Sequence, residues 1–333
     1  MKYRNLGETD LSVSEVAFGV WSVSTGWWGK VEKPDAINLL RNAHELGITL
    51  FDTADTYGLG FGEEILFESL RKVRHDIIIG TKFGYDLDAP REGHQKERPQ
   101  NWSPEFVRKA CESSLKRLGT DYIDIYQLHN PRLSAIQNDE LFSLLDDLKS
   151  EGKIRWYGTA LGPDIGWKDE GFCSMKERKV PIMQVIFSII EQQPARDFFE
   201  VAKQQGTGLL SRVPHASEIL TDQFADKSTV EFDPSDHRAH RKREWLDQAF
   251  AKREKILFIA DETGRTLAQA AIQFCLAETS IASVLPNIVN QDQLNEYCRA
   301  TDTPKLNSEE LIELHRIYDH EFVSLEKIQP QRA

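Results

Sequence analysis

Long apolar runs are missing from this chain. No stretch of about 18 apolar residues occurs in it, so no segment reads as a membrane-spanning helix. The opening MKYRNLGETD lacks the apolar core of a secretory signal. Cysteine is sparse: Cys111, Cys173, Cys275 and Cys298 stand far apart with no CxxC among them. That spacing argues against a disulfide framework and against a zinc site, and it suits reduced thiols in a cytoplasmic protein. The nine histidines form no HExxH, and no metal site is expected. Positive charge is in deficit, with 41 basic residues against 53 acidic ones and a net charge of −12, which argues against nucleic acid as a partner. The one dense basic run, residues 237–243 (HRAHRKR), reads as a solvated loop edge.

What remains is ordinary for an enzyme-sized globular chain. The 333 residues are 40% apolar and 28% charged, enough for two domains or one large α/β barrel. Residues 3–13 read as a hairpin turning at 7–10. Strand-like segments then start near residues 16, 48, 76, 122, 154, 182, 207 and 281. Helical spacing separates them, over 34–46, 63–73, 104–118, 139–150, 171–177, 194–205, 244–262, 267–278 and 292–299, with a last helix from 308 to 320. Pro104 follows a capping Ser103, and Gly47, Gly119 and Gly206 stand at helix ends. Residues 215–241 carry no clear pattern, and residues 326–333 read as a disordered tail. Eight strand–helix units predict a single (β/α)8 barrel over 1–325, with an N-terminal β-hairpin and extra helices near the C-terminus. A doubly wound sheet is the alternative. It calls for a GxGxxG turn after the first strand, and none is present.

The chemistry concentrates at strand ends. ITLFDTADTYG places Asp52 at the end of a buried strand and Tyr57 just beyond it. DIIIGTKFG ends near Lys82, and DYIDIYQLHN ends on His129. In a parallel barrel these four converge on one rim. Asp52 would hold Lys82 charged and oriented. A lysine beside a phenol favours its ionised form, so Tyr57 could act as general acid to a carbonyl oxygen, with His129 as a second donor. No serine or cysteine nucleophile with an adjacent base is evident, so the group suits proton transfer coupled to hydride from a cofactor. The plainer alternative is an Asp52–Lys82 ion pair that merely plugs the barrel.

The stretches LGETDLSVSEVAFGVW, FDTADTYG, IIIGTKFG, SSLKRLGTDYIDIYQLHNP and the strand around Gln184 resemble the aldo-keto reductase superfamily over nearly the full length. The resemblance implies a (β/α)8 barrel that binds a nicotinamide cofactor without a Rossmann motif and reversibly reduces aldehydes or ketones. It makes Asp52, Tyr57, Lys82 and His129 the catalytic tetrad, with Tyr57 the proton donor. An NAD(H)-binding regulatory protein is the alternative, since some relatives of the fold serve that way.

The same resemblance implies the cofactor-binding positions. Gly19 and Trp21 fall in the first matching stretch. Thr159, in GTALG, stands in for a carboxamide-binding serine. Gln184 matches the carboxamide-binding Gln, and Phe187 stands where a nicotinamide-stacking Tyr is usual. Ser211, Arg212, Pro214 and Ser217 carry over from a loop whose backbone wraps the pyrophosphate. Pro286, Asn287, Gln293 and Glu296 follow the last strand. Val289 and Asn290 stand where Arg or Lys often grips the 2′-phosphate, so NAD(H) is expected over NADP(H). Trp21, Trp27, Trp28, Tyr85 and Trp102 fall in strand-end loops and are candidates to line an aromatic pocket for a small carbonyl or sugar substrate, and of these Trp21 matches a usual pocket position of the family.

Overall fold

A two-stranded hairpin, β1 (Tyr3–Asn5) and β2 (Ser12–Ser14), precedes eight strands that form one sheet. These are β3 (Phe18–Gly19), β4 (Leu50–Asp52), β5 (Ile78–Phe83), β6 (Ile123–His129), β7 (Ile154–Ala160), β8 (Ile182–Ile186), β9 (Gly208–Arg212) and β10 (Ile281–Leu285). The computed structural model describes residues 1–90, 97–162, 167–224, 232, 236–240, 243–260 and 263–322. The tail expected to be disordered, 326–333, lies outside the described residues, as do Arg241 and Lys242 of the basic run. Every neighbouring pair in the sheet is parallel and strand order follows chain order. The ends meet through a parallel bridge between Val16 and Val284, where the Ala17 N–H donates to the Val284 carbonyl at 2.9 Å. The barrel is therefore nearly closed, as the eight strand signals imply.

The helices lie between the strands: α1 (Trp21–Ser24), α2 (Lys33–Glu45), α3 (Phe61–Leu70), α4 (Pro104–Leu118), α5 (Leu133–Ile136), α6 (Asp139–Ser150), α7 (Lys168–Lys176), α8 (Ala195–Gln205), α9 (Arg243–Glu254), α10 (Leu267–Ala277), α11 (Gln291–Cys298) and α12 (Ser308–Ile317). Their spacing does the work expected of it. In α2, Ala36, Leu39, Leu40 and Ala43 are buried on one face. Several expected boundaries shift. The strand expected from 48 is regular only over Leu50–Asp52, and the helix expected over 244–262 ends at Glu254. Ser103 occupies the N-cap position of α4 but makes no cap bond, because its hydroxyl donates to Asn101 Oδ1 at 2.9 Å.

The hairpin seals one end of the barrel. Leu6, Leu11 and Val13 pack with Leu50, Ile78, Ile125, Ile182 and Leu210, the inward residues at the N-terminal ends of the strands. Gly7 makes this docking possible: its φ is +59°, and a Cβ there would stand 2.4 Å from the Gly208 nitrogen. With the lower end filled by apolar side chains, polar inward residues are left for the opposite, C-terminal end.

Candidate active site

Register decides which side chains meet at that end. Gly19 pairs with Asp52, Asp52 with Gly80, and Lys82 with Gln127 and through it with Gly158. Paired residues share a face, so Asp52, Lys82 and Gln127 all enter the barrel. Alternation along β6 adds His129 two residues beyond Gln127. Gly80, the partner of Asp52 in the ladder, lies beside the carboxylate. Tyr57 is brought over the group by a tight turn after β4. Gly58, Leu59 and Gly60 all have positive φ, and the Gly62 N–H closes the turn onto the Tyr57 carbonyl at 3.0 Å.

The four side chains expected to converge do so. Lys82 is fully buried, and its Nζ donates to Asp52 Oδ2, to the Thr53 carbonyl at 2.8 Å and to the Tyr57 hydroxyl at 3.2 Å. The His129 ring stands edge-on to Tyr57, with centroids 6.0 Å apart. Burial alone would lower the Lys82 pKa, but the Asp52 carboxylate and the Tyr57 phenol outweigh it and hold the ammonium above its ordinary value. His129 moves the other way. Burial, with the Lys82 and Arg212 charges, pushes it well below the usual imidazole range, so the ring is neutral at pH 7. A charged lysine, a phenol on it and a neutral imidazole can deliver a proton to an oxygen and then stabilise the anion left behind.

One residue of this group had escaped notice. Gln127 donates to Asp52 Oδ1 at 3.0 Å, and Gln184 donates to the same oxygen at 3.0 Å. The two amides fix the carboxylate from the side that Lys82 does not reach. The signal was present in YQLH: Gln127 lies two residues before His129, on the same inward face. A second buried group supports the Tyr57 turn from behind. Glu63 accepts from Thr81 Oγ1 and from Arg117 Nε, each at 2.6 Å, and so ties the start of α3 to β5 and α4. Asp55 beside it is pushed well above the carboxylate range by burial and by the Glu63 charge.

The expected cofactor positions divide. Gln184 points inward, in register with Ala160 and Leu210. Gly19 lies beside the Pro286 carbonyl. Trp21 opens α1 at the mouth, edge-on to Trp28 with centroids 5.5 Å apart. Two assignments need correction. Thr159 is in register with Leu128 and through it with Phe83, both in the core shared with the helices. It therefore faces the helix layer, and its buried hydroxyl has no partner there. Phe187 also faces outward, packed against Phe199 and Phe274 with centroids 5.0 and 5.3 Å away, so it cannot stack on a ring inside the mouth. On the inner face, the C-terminal end of β7 presents Ala160, which has no hydrogen-bonding group.

Ser211 is likewise turned to the helices, where its hydroxyl donates to the Phe187 carbonyl at 3.0 Å. Arg212 beside it faces the mouth. Residues 213–218 form an irregular loop in which Val213, Ala216, Ser217 and Glu218 have positive φ, and Pro214 and Ser217 are buried within it. His215 Nε2 meets the Ala268 carbonyl at 3.1 Å, and Glu218 accepts from Asn287 Nδ2 at 3.3 Å and Tyr297 Oη at 3.2 Å, which docks the loop onto α10 and α11. Gln293 accepts from the Val289 N–H at 2.9 Å, and Glu296 accepts from Thr266 Oγ1 at 2.5 Å. Of the candidate pocket aromatics, Tyr85 and Trp28 are buried, Trp102 packs on Phe83, and Trp27 is exposed. Among the described residues no cluster of three His, Cys, Asp or Glu could hold a metal, and no helix is long and apolar enough to cross a membrane.

Do these residues fit a nicotinamide dinucleotide? The mouth holds buried polar atoms that lack partners, Gln127 Oε1, His129 Nδ1 and Arg212 Nε, along with the inward Gln184 amide and the backbone of a left-handed loop. That donor and acceptor set fits a polar, ring-bearing ligand.

Comparison with known proteins agrees. The model of the aldo/keto reductase family matches residues 15–319. An uncharacterised oxidoreductase of Bacillus subtilis, YqkF, is 31% identical over 314 residues, covering 93% of this chain and 94% of its own length. An NADH-specific methylglyoxal reductase of Escherichia coli is 28% identical over 319 residues, covering 89% of this chain and 92% of its own. Among solved structures, the holo form of the aldo-keto reductase AKR11C1 from Bacillus halodurans superposes with a TM-score of 0.77 at 28% identity, over 95% of this chain and 96% of that one.

Proposed function

This chain belongs to the aldo/keto reductase family, and on that premise we propose that it reduces a small aldehyde or ketone at the mouth formed by Asp52, Tyr57, Lys82 and His129. One observation carries the reading. The buried Lys82 ammonium joins the Asp52 carboxylate to the Tyr57 hydroxyl, 3.2 Å away, on the rim that also holds a neutral His129. A nicotinamide dinucleotide supplies the hydride when bound. Gln184, the 213–218 loop and the Gly19–Pro286 corner are the parts of this chain that would hold it.

The remaining chemistry belongs to the protein. Tyr57 gives its phenolic proton to the carbonyl oxygen as negative charge develops there. Lys82 stabilises the phenolate left behind. Asp52 keeps Lys82 charged and aimed, while Gln127 and Gln184 keep Asp52 in place. Neutral His129 donates a hydrogen bond to the same carbonyl oxygen and fixes its position.

We read the cofactor as NAD(H) in preference to NADP(H). Asn290 caps α11 by accepting from the Gln293 N–H at 2.9 Å, which takes one of the free N–H groups of that helix start, and neither Val289 nor Asn290 brings a cation. The residues that follow, Asp292 and Glu296, are acidic. Arg238 is engaged by Asp236 and stacked 4.0 Å from the Trp28 ring. The similarity to a reductase described as NADH-specific supports the same preference. The test is turnover of a panel of aldehydes and ketones with each cofactor. Cofactor-dependent reduction supports the enzyme, and binding of NADH without turnover of any carbonyl would favour the regulatory alternative.

A further inference from the structure

Lys82 and Thr81 are neighbours on β5 and face opposite ways. Lys82 enters the barrel, whereas Thr81 pairs in the ladder with Tyr126, which lies in the core shared with the helices. One short piece of chain holds both. Inside the barrel, the Lys82 ammonium meets the Tyr57 hydroxyl at 3.2 Å. Behind the wall, Thr81 Oγ1 donates to Glu63 Oε1 at 2.6 Å. Tyr57 and Glu63 are joined by the turn through Gly58, Leu59 and Gly60. In it the Gly62 N–H donates to the Tyr57 carbonyl at 3.0 Å, and the Glu63 N–H to the Gly60 carbonyl at 3.0 Å. The turn and the start of α3 therefore move as one piece, with the phenol on one side of β5 and the carboxylate on the other.

The carboxylate is anchored a second time. Glu63 is fully buried, and its Oε2 accepts from Arg117 Nε at 2.6 Å. Arg117 comes from the last turn of α4 and lies across the turn that carries Tyr57, since a Cβ on Gly60 would stand 2.5 Å from its Cδ. Its Nη2 donates to Ser114 Oγ at 3.2 Å. Stability is a weak reason for such a pair, because apolar side chains of similar size do about as well in a buried place. Direction is a stronger one. Both bonds to Glu63 are short and charge-assisted, so they fix α3 against β5 and α4 more sharply than apolar contacts would. Resting on the reductase reading above, we propose that Glu63 and Arg117 are positioning residues for the proton donor, acting through the turn to hold the Tyr57 hydroxyl at Lys82. Their contacts lie in the helix layer and not in the mouth, so the pair acts on kcat rather than on KM.

Glu63→Leu, Arg117→Met, the double variant and Glu63→Gln test this. Each is measured for kcat and KM, for the rate of a single turnover, for the NADH dissociation constant and for melting temperature. Each single apolar variant should lose about tenfold or more in kcat and in single-turnover rate, with KM and the NADH dissociation constant within about twofold of wild type. The single apolar variants strand a charge and should melt lower. The double variant strands none and should regain most of that loss. Its kcat should stay as low as that of the single variants, because the tie is still cut. Glu63→Gln can still accept from Arg117 and donate to Thr81 Oγ1, so it should keep most of the wild-type kcat. A double variant whose kcat returns together with its melting temperature would overturn the proposal, since the pair would then serve stability alone. So would single variants that keep kcat within about twofold of wild type, or a loss confined to KM or to NADH binding. Should the single variants fail to fold, the double variant carries the test. A wild type that reduces no carbonyl would sink the reductase reading instead. The resonance of Tyr57 in 3-fluorotyrosine-labelled protein, identified by its absence in Tyr57→Phe, then still reads the pair. It should shift or broaden in the double variant and not in Glu63→Gln, and an unchanged resonance in the double variant would overturn the proposal without any turnover.

Discussion

Replacing Lys82 by Met removes an ammonium that makes three hydrogen bonds and leaves a buried carboxylate behind. In the native protein Lys82 is 0% and Asp52 4% exposed. Without the ammonium, Asp52 Oδ1 keeps the amides of Gln127 and Gln184 at 3.0 Å each, but Oδ2 loses the Lys82 donor that the native protein gives it. Breaking a buried pair by removing one partner costs about 3–5 kcal/mol. At about 2–4 °C per kcal/mol, the melting temperature should fall by roughly 6–20 °C. The double variant Lys82→Met, Asp52→Asn removes the orphaned charge as well, so it should recover at least half of the loss. Scanning calorimetry on wild type, the single variant and the double variant reads all three values. A single variant that melts with wild type would refute the reasoning, because it would mean that water already solvates the pair. A double variant no more stable than the single one would show that lost packing, not the stranded carboxylate, carries the cost.

Two further predictions concern the 213–218 loop and the cofactor. Burial raises the Glu218 carboxyl to about 7, so the folded protein holds a proton that the unfolded chain releases near pH 4.5. Stability should therefore fall as pH rises through that window, by about 3 kcal/mol from this group by pH 8. His215 acts in the opposite sense below pH 6.5, since burial lowers it to about 4. The difference in stability between wild type and Glu218→Gln, measured by urea unfolding at pH 5, 6.5 and 8, should change with this sign, and a flat difference would contradict it. For the cofactor, NADH should bind at least as tightly as NADPH, and Asn290→Arg should tighten NADPH. A native preference for NADPH of a hundredfold, about 2.7 kcal/mol, would mean that a cation reaches the 2′-phosphate from elsewhere, and Arg241 would be the first residue to test.

Why was the tetrad legible in the sequence when parts of the cofactor set were not? Asp52, Lys82 and His129 each end an apolar strand, and a charge there has no packing explanation, so the residue type alone exposes them. Thr159 and Phe187 failed on phase. Each is one residue away from an inward position, and on a strand that single step moves a side chain from the mouth to the helix layer. Their neighbours offered no warning, because Ala160 and Ile186 suit either face. Only the pairing of Thr159 with Leu128, and of Val185 with Ser211, decides it. Gln127 was readable by alternation from His129 but had no partner until Asp52 was placed across the barrel. Glu63 and Arg117 look like ordinary helix-surface charges in sequence. The burial of Glu63 and its pairing with Arg117 follow from how α3 and α4 pack, which no local pattern carries. The eight strands and the plugging hairpin were evident because apolar runs and turn residues recur at regular spacing, whereas the start of β4 is shortened to Leu50, since the Thr49 N–H goes to Ser14 Oγ.

The most direct test of the account is the rate of NADH-dependent carbonyl reduction by Tyr57→Phe, with NADH binding measured on the same samples. The substitution removes the phenolic proton and keeps the ring over Lys82, whose Nζ lies 4.9 Å from the ring centroid. Loss of a general acid is worth about 10²–10⁴ in rate. The account predicts a fall of that size in kcat with an NADH dissociation constant close to that of wild type. Turnover near the wild-type rate would contradict it, since the proton would then come from a group other than Tyr57.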